Sequence, residues 1–573
     1  MQQSLIRVGQ KTSNTTSDYF EQQFASQQQV QRFSFSLASN GNVQRDGDNL
    51  LLVLGTPLPA IDPMPANWQQ AMQELPQREG VFVALFWDDK ARKLVLCTDI
   101  LGLQPLYWKQ SSTEVVFSDC TRAFVGDHSP VGWGAFLALG YTFGSDTLTS
   151  DVARVPPATL MLVEPDPIRV EQQTYWTFDY RRSSGSITEV LETLHQSVDL
   201  ALQPCQQQQH SILLSGGYDS RLIAFLLSKR SLDLNAIIVS HADENLDLDG
   251  RSAMAVARHL KIPYQLASPE KDFFSTPAYL DYLEASEGLV PSLYLFISQV
   301  AHFVEADVLW EGLLPGKTLK ASEDDFDEFQ ATKIKWHHHR IWRDAELVFG
   351  KSHATEMWQA FESKWQQQKA SFSNDSDGTA LFNYAHRTRN RYGLNPFKVF
   401  QQKSRVCMPG MTRDYLLATM AIDPARKQGN QFYQQLYRKI DPAALHFPVV
   451  HGSKPDLLQS RRLSDHLFMG RMSAHHFLQQ RPRLMKLLRL NPSNRKPLPS
   501  NYLSNPLLWQ QQDSVVEPGF LAKLQQGEPV PAQALQLLFY WRVWQWLRQK
   551  PLAGYFAHTA DRAGFASRNG TQG

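Results

Sequence analysis

The sequence predicts an α/β and α+β multidomain protein, and three features of its patterning carry that prediction. Short apolar runs separated by polar turns fill the first 175 or so positions, apolar runs then alternate with amphipathic ones from about residue 187, and helical patterning dominates beyond about residue 350. At 573 residues the chain exceeds one ordinary core, so two or three domains are expected.

The first region reads as one antiparallel, sheet-based domain. Its strands are "LLLVLG" (50–55), "GVFVALFW" (80–87), "KLVLCTD" (93–99) and "TLMLVEP" (159–165), and its best helical candidate is "NWQQAMQELPQ". The glutamine-rich pieces "EQQFASQQQVQ" and "QPCQQQQHS" are too short for low-complexity tracts and read as surface or connector. The second region runs as a helix "ITEVLETLHQSVDLALQ", a strand "HSILLS", a helix from about 218, a strand "LNAIIVSHA" and a helix "GRSAMAVARHLKI". Alternation at these lengths means right-handed βαβ units and a parallel sheet. The last helix carries Phe539, Tyr540, Trp541, Trp544 and Trp546, which read as core or interface packing, and the final dozen residues read as a frayed tail. No 20-to-50-residue repeat is present.

Lys and Arg total 57 against 56 Asp and Glu, which favours neither a nucleic acid nor a membrane surface as partner. With no signal-like start and no run near the roughly 20 apolar residues that cross a bilayer, a cytoplasmic location is expected. Cys97, Cys120, Cys205 and Cys407 form no CxxC pair and read as reduced core residues.

Chemistry is concentrated in "SILLSGGYDSRLIAFLL" (211–227), a strand-to-helix turn. Gly216 and Gly217 free the main chain to approach a ligand. Successive N–H groups at a helix N-terminus form an anion nest, with the Ser215 and Ser220 hydroxyls as further donors. A carboxylate at Asp219 repels a phosphate unless a divalent cation lies between, which argues for a Mg²⁺-bound nucleotide. The alternative is a tight turn in which Asp219 merely caps the helix. Neither G-x-x-x-x-G-K-[ST] nor G-x-G-x-x-G occurs here.

The S-G-G-x-D-S stretch resembles the pyrophosphatase loop of enzymes that adenylate a carboxylate or carbonyl, and its surroundings resemble the asparagine synthetase family. "GVFVALFWDDKARKLVLCTDILGLQPLYW" (80–108) is similar to that family's glutaminase-domain core at Asp99, Gly102 and Pro105 to Trp108. "VPPATLMLVEP…TYW" (155–176) resembles the segment closing that domain, and "HADENLDLDGRSAMAVARHLKIPY" (241–264) the segment after the second strand. The resemblance implies a glutaminase-like (Ntn-type) β-sandwich over 1–180, an adenine-nucleotide-hydrolase-like (PP-loop) ATP-binding ligase domain over 187–460, and a helical extension over 461–573. It further implies ATP and Mg²⁺ as cofactors, Leu214, Ser215, Gly216, Gly217, Asp219, Ser220, Val239 and Gly312 around the nucleotide, and Asp219 on the metal. The partners it implies are a small-molecule or peptide carboxylate and an amine or ammonia, joined through an acyl-adenylate with loss of AMP and pyrophosphate. A homodimer is left open.

Several positions depart from the family pattern. Glutamine-hydrolysing members carry a cysteine directly after the initiator methionine, whereas this chain reads Met1-Gln2-Gln3, so its first domain is expected to keep the fold without the activity. Where the family has an Asp-Glu pair after "EADVLW", this sequence has Leu314, Pro315, Gly316 or Lys317. Lys317 either contacts phosphates as a point charge or sits in solvent, and the run Glu323, Asp324, Asp325, Asp327, Glu328 is either a displaced ligand set or a solvated face. Arg221 is either a phosphate clamp or a surface residue. Pro409, Arg413 and Asp414 match the family's acyl-pocket segment, while Gly410-Met411-Thr412 weaken it and put aspartate as substrate in doubt. Lys454 lies near the family's lysine that steadies the leaving pyrophosphate, or is an ordinary surface lysine.

The three histidines of "KWHHHRIW" point different ways on a helix and make no zinc site. The basic stretch 460–496 is either a solvated helix face or a dock for an acidic partner. The missing cysteine favours a relative that joins its own amine and acid, as β-lactam synthetases and lasso-peptide cyclases do, or that amidates a sugar acid. A non-catalytic nucleotide-binding or scaffold protein is the alternative of another class.

Overall fold

The computed structural model describes residues 4–9, 29–32, 35–39, 42–178, 185–239, 248–267, 273–287, 304–312, 318–320, 336–447, 449–451, 454–456, 499–509 and 514–548, with a few single positions between 463 and 487. Its N-terminal part is two antiparallel six-stranded sheets. One is built from β1 (Ser4–Gly9), β2 (Gln29–Arg32), β3 (Phe35–Ser39), β8 (Tyr107–Gln110), β9 (Glu114–Ser118) and β10 (Ala153–Arg154), in the order β10-β8-β9-β1-β3-β2. The other, ordered β12-β11-β7-β6-β5-β4, contains β4 (Asn42–Asp46), β5 (Asn49–Leu58), β6 (Glu79–Asp88), β7 (Lys93–Thr98), β11 (Thr159–Pro165) and β12 (Ile168–Thr174).

Strand alternation explains the apolar runs. Leu50, Leu52 and Leu54 of β5 pack toward Ile6, Val8, Val115 and Phe117 of the facing sheet, while Leu51 and Val53 point to the opposite side. There they meet Ala71 and Leu75, which belong to or directly follow helix α1 (Trp68–Glu74). A sheet buried on both faces reads as continuous apolar sequence. Helix α1 lies where "NWQQAMQELPQ" predicts it, with the Asn67 side chain capping the Gln70 amide at 2.9 Å.

A second helix in this part, α2 (Pro130–Leu139), goes beyond the sequence reading. "PVGWGAFLAL" is apolar all round, so it has no amphipathic period to detect. The reason is that α2 is covered on several sides at once. A Cβ on Gly132 would lie 1.9 Å from the Thr147 carbonyl oxygen, and one on Gly134 2.2 Å from that of Met357. Only glycines permit that approach.

Next comes helix α3 (Ile187–Leu202), then a five-stranded parallel sheet of β13 (Gln209–Leu213), β14 (Asp233–Val239), β15 (Tyr264–Ala267), β16 (Val308–Trp310) and β17 (Arg405–Cys407), ordered β15-β14-β13-β16-β17. The helices α4 (Tyr218–Leu227) and α5 (Leu248–Leu260) connect its first strands, as the alternating pattern predicts. The mostly helical remainder includes α6 (Trp336–Lys369, broken at Gly350), α7 (Gln431–Ile440), α8 (Ala532–Leu547) and a ribbon of β18 (Val449–His451) and β19 (Lys454–Asp456). No described helix is long and apolar enough to cross a membrane. All four cysteines are free and buried.

Packing cuts across the three segments drawn from sequence. Helix α2 is clamped by α6 and α8, with the Trp133 ring 4.8 Å from Trp541 and 6.4 Å from Phe349. The aromatic run of α8 is therefore core packing. Arg154, fully buried, donates to the Gly102 carbonyl at 2.7 Å and to the Arg389 carbonyl and Asn390 Oδ1 at 2.9 Å. Glu287 is ion-paired to Lys398 and accepts from Thr121 Oγ1 at 2.6 Å, and Arg122 pairs with Glu284 at 2.9 Å.

Candidate functional site

The order of the parallel sheet fixes where a ligand can enter. From β13 the chain proceeds to β14 and β15 on one side and later to β16 and β17 on the other, so β13 and β16 flank the switch point. Ligands of open α/β sheets bind beyond the carboxyl ends of strands at that point. Leu214 to Ser220 emerges there. The Leu214 amide still donates to the Ile237 carbonyl at 3.0 Å, which keeps the loop's base in the ladder.

Beyond Leu214 the loop folds on itself. The Ser215 amide donates to Ser220 Oγ at 2.9 Å, the two hydroxyls lie 2.9 Å apart, and the Gly217 amide donates to Ser215 Oγ at 3.2 Å. Gly217 is the N-cap of α4 and supplies no side-chain cap. Gly312, two residues past β16, lies directly against this turn, where a Cβ would come within 2.6 Å of the Ser220 backbone. The structure thus gathers Ser215, Gly216, Gly217, Asp219, Ser220 and Gly312, and leaves Val239 at the end of the neighbouring β14.

Two carboxylates meet the loop. Asp219 Oδ1 accepts from the Tyr433 hydroxyl of α7, and burial together with that carboxylate pushes the phenol well above its ordinary pKa. Asp249, in the first turn of α5, accepts the Gly216 amide on Oδ1 at 3.1 Å. Sequence reasoning missed both partners. Asp249 sits within the quoted segment after the second strand, but nothing local marks it as facing the loop, and Tyr433 lies more than 200 positions away.

Arg221 is not a surface residue. It is fully buried and donates to the Gly216 carbonyl at 3.1 Å, Ser252 Oγ at 3.0 Å and the Phe447 carbonyl at 3.1 Å. Burial lowers its pKa, against the nearby Tyr437, Tyr218 and Asp249. It splints the loop from behind.

Lys454 opens β19, at the turn of a ribbon whose first strand packs on α5. Lys317, the acidic run 323–328, the side chains of the three histidines and nearly all of 460–496 lie outside the described residues. Lys320, which sequence reasoning did not select, places its ammonium 6.0 Å from the centre of the Tyr218 ring at the start of α4. Among the described residues, no group of three His, Cys, Asp or Glu could hold a metal ion.

In the N-terminal sheets, Asp99 is fully buried and accepts the amides of Leu101, Leu103 and Gln104 at 3.0–3.1 Å, and burial raises its pKa to about 6. It shapes the turn that resembles the glutaminase core. Burial pushes the Cys97 thiol far up and Cys120 to about 11, so neither is poised as a nucleophile. Arg413 pairs with Glu79 of β6 at 2.7 Å, next to a small cavity, no larger than about one water molecule, lined by Gly80, Ser197, Cys407, Met408 and Thr412 among others.

Residues 66–176 match the family described as "Glutamine amidotransferase domain", so this part of the chain is a glutamine amidotransferase-type domain. Among solved structures, the chain is similar to glutamine phosphoribosylpyrophosphate (PRPP) amidotransferase from B. subtilis complexed with ADP and GMP. Identity is 10% and the TM-score 0.20, over 46% of this chain and 65% of the other, just under two thirds of its length. It is also similar to the allosteric regulatory enzyme of purine biosynthesis, at 8% identity and a TM-score of 0.20, over 46% of this chain and 80% of that one. No curated protein matches the chain.

Proposed function

We propose that the chain is an ATP-dependent carbon–nitrogen ligase of the asparagine synthetase type, acting on a small-molecule or peptide carboxylate and an amine or ammonia, with a first domain that does not hydrolyse glutamine. One observation carries this reading: a Ser-Gly-Gly-x-Asp-Ser turn at the carboxyl end of β13, at the switch point of a parallel sheet, abutted by Gly312 from β16. A glutamine amidotransferase-type domain in the same chain supports it. The buried thiols of Cys97 and Cys120 support the loss of glutamine hydrolysis.

The residues present fit a nucleotide's phosphates, because the glycine pair and the start of α4 bring backbone N–H groups and two hydroxyls to the carboxyl end of β13, the Gly216 and Gly217 amides exchanging Asp249 Oδ1 and Ser215 Oγ for phosphate oxygens. Ser215, Gly216, Gly217 and Ser220 would hold the phosphates. Asp219 would hold Mg²⁺, an ion that typically takes one or two carboxylates and fills its shell with phosphate oxygens and water. Bound nucleotide supplies the activated leaving group that a bare carboxylate lacks. The chain's own residues supply the geometry: Tyr433 orients Asp219 and Arg221 fixes the loop.

A non-catalytic nucleotide-binding protein is the second reading, favoured by the engagement of Asp219 with Tyr433. Pyrophosphate-dependent label exchange into ATP, run over a panel of amino acids, sugar acids and peptides, separates the two. Carboxylate-dependent exchange that disappears in Asp219→Ala supports the ligase. ATP binding with no exchange supports the second reading, and absence of ATP binding in excess Mg²⁺ defeats both.

A further inference from the structure

The loop that could receive phosphate already holds an anion of the chain's own. The Gly216 amide, the first N–H of the glycine pair, donates to Asp249 Oδ1 at 3.1 Å. This is a close seat, since a Cβ on Gly216 would lie 2.9 Å from the Asp249 carbonyl oxygen and 3.1 Å from Oδ1. Because Asp249 belongs to the first turn of α5, its carboxylate is favoured there by the helix as well as by the amide. A phosphate oxygen seeking the Gly216 N–H meets a negative charge already in that position.

We propose that Asp249 is an internal anion that competes with phosphate for the glycine loop, so that the loop admits a polyphosphate only when the Asp249 carboxylate leaves Gly216. The inference rests on the reading of this loop as a nucleotide site and adds a form of regulation to it. The device is set by placement. Asp249 stands on α5, which packs on the β18–β19 ribbon, so a shift of α5 that withdraws the carboxylate opens the N–H group. Arg221, joined to Gly216 through its carbonyl and to Ser252 on the same helix, couples the loop to that shift. The ligand class selected is a polyphosphate carrying its own cations, because one engaged carboxylate at Gly216 and another at Asp219 both repel a bare anion.

The test is calorimetric titration of the full chain with inorganic pyrophosphate and separately with Mg·ATP, comparing wild type, Asp249→Asn and Asp249→Ser. Asparagine keeps an amide oxygen for the Gly216 N–H and removes only the charge, and serine removes the charge and draws its oxygen back by one carbon. Both variants are expected to bind pyrophosphate about tenfold more tightly, which is about 1.4 kcal/mol, with thermal midpoints close to wild type. The gain is expected to be smaller for Mg·ATP, whose cation offsets the carboxylate. Wild-type binding with equal or weaker binding by both variants overturns the competition while leaving the nucleotide site standing. No binding of either ligand by any of the three proteins overturns the nucleotide reading and the competition with it.

Discussion

Residue-level chemistry is most consequential at Glu287 and Lys398, a buried ion pair between the turn after helix Pro277–Ala285 and the end of segment Asn383–Lys398. Burial pushes Glu287 upward, yet Lys398 and Thr121 together hold its carboxyl below the ordinary 4.5. Lys398 is pushed down by burial but held above 10.5 by Glu287, Cys120 and Asp119. A carboxyl depressed in the fold contributes stability above its unfolded pKa and loses it as pH falls through the folded value. A raised ammonium contributes below its unfolded pKa and loses it as pH climbs through the folded one. The pair therefore stabilises fully between about pH 4.5 and 10.5. Lys398→Met leaves the buried Glu287 charge without its ammonium and is expected to cost about 3–5 kcal/mol near neutrality. The gap from wild type should narrow below pH 4, as followed by thermal unfolding across pH.

Among the elements, the junction of β13 and α4 was legible because its signal is local. An apolar strand, two glycines and an amphipathic helix follow one another within 17 residues. The same holds for α1, α3, α5 and β14. Helix α2 was not legible, because a helix buried on all sides carries no period, and its glycines, which usually argue against a helix, serve close packing instead. Within the site, the loop residues and Gly312 could be read from sequence. Their partners Asp249 and Tyr433 could not, since those contacts exist only once α5 and α7 are docked. Of the two alternatives for Arg221, the surface one fails because its guanidinium is buried against the Gly216 and Phe447 carbonyls and Ser252, contacts far from it in sequence or hidden in the turn. The Gly312–Ser220 contact yields a direct test. Gly312→Ala inserts a methyl where 2.6 Å separates it from backbone, so the loop must move. The expected result is a loss of about 1–3 kcal/mol in stability, together with a larger proportional loss of Mg·ATP affinity, read by denaturant unfolding and calorimetry.

For the whole molecule, the amidotransferase-type domain and the rest of the chain share buried surface. Trp133 and Phe136 of α2 pack against Phe349, Tyr540, Trp541 and Trp544, and Arg154 ties the Gly102 turn to Arg389 and Asn390. The two parts are expected to unfold together, in one calorimetric transition. A fragment ending near residue 178 would expose Trp133 and Phe136 and is expected to aggregate, as measured by light scattering beside the full chain. Two separate transitions, or a monodisperse fragment, would contradict shared packing.

The clamp on α2 also sets a schedule. Trp541 is synthesised about 400 residues after Trp133, which at roughly 5–20 residues per second is a delay on the order of 20–80 s. Within that interval α6 emerges well before α8, so α2 gains its cover in two stages, first against Phe349 and Met357 and last against Trp541.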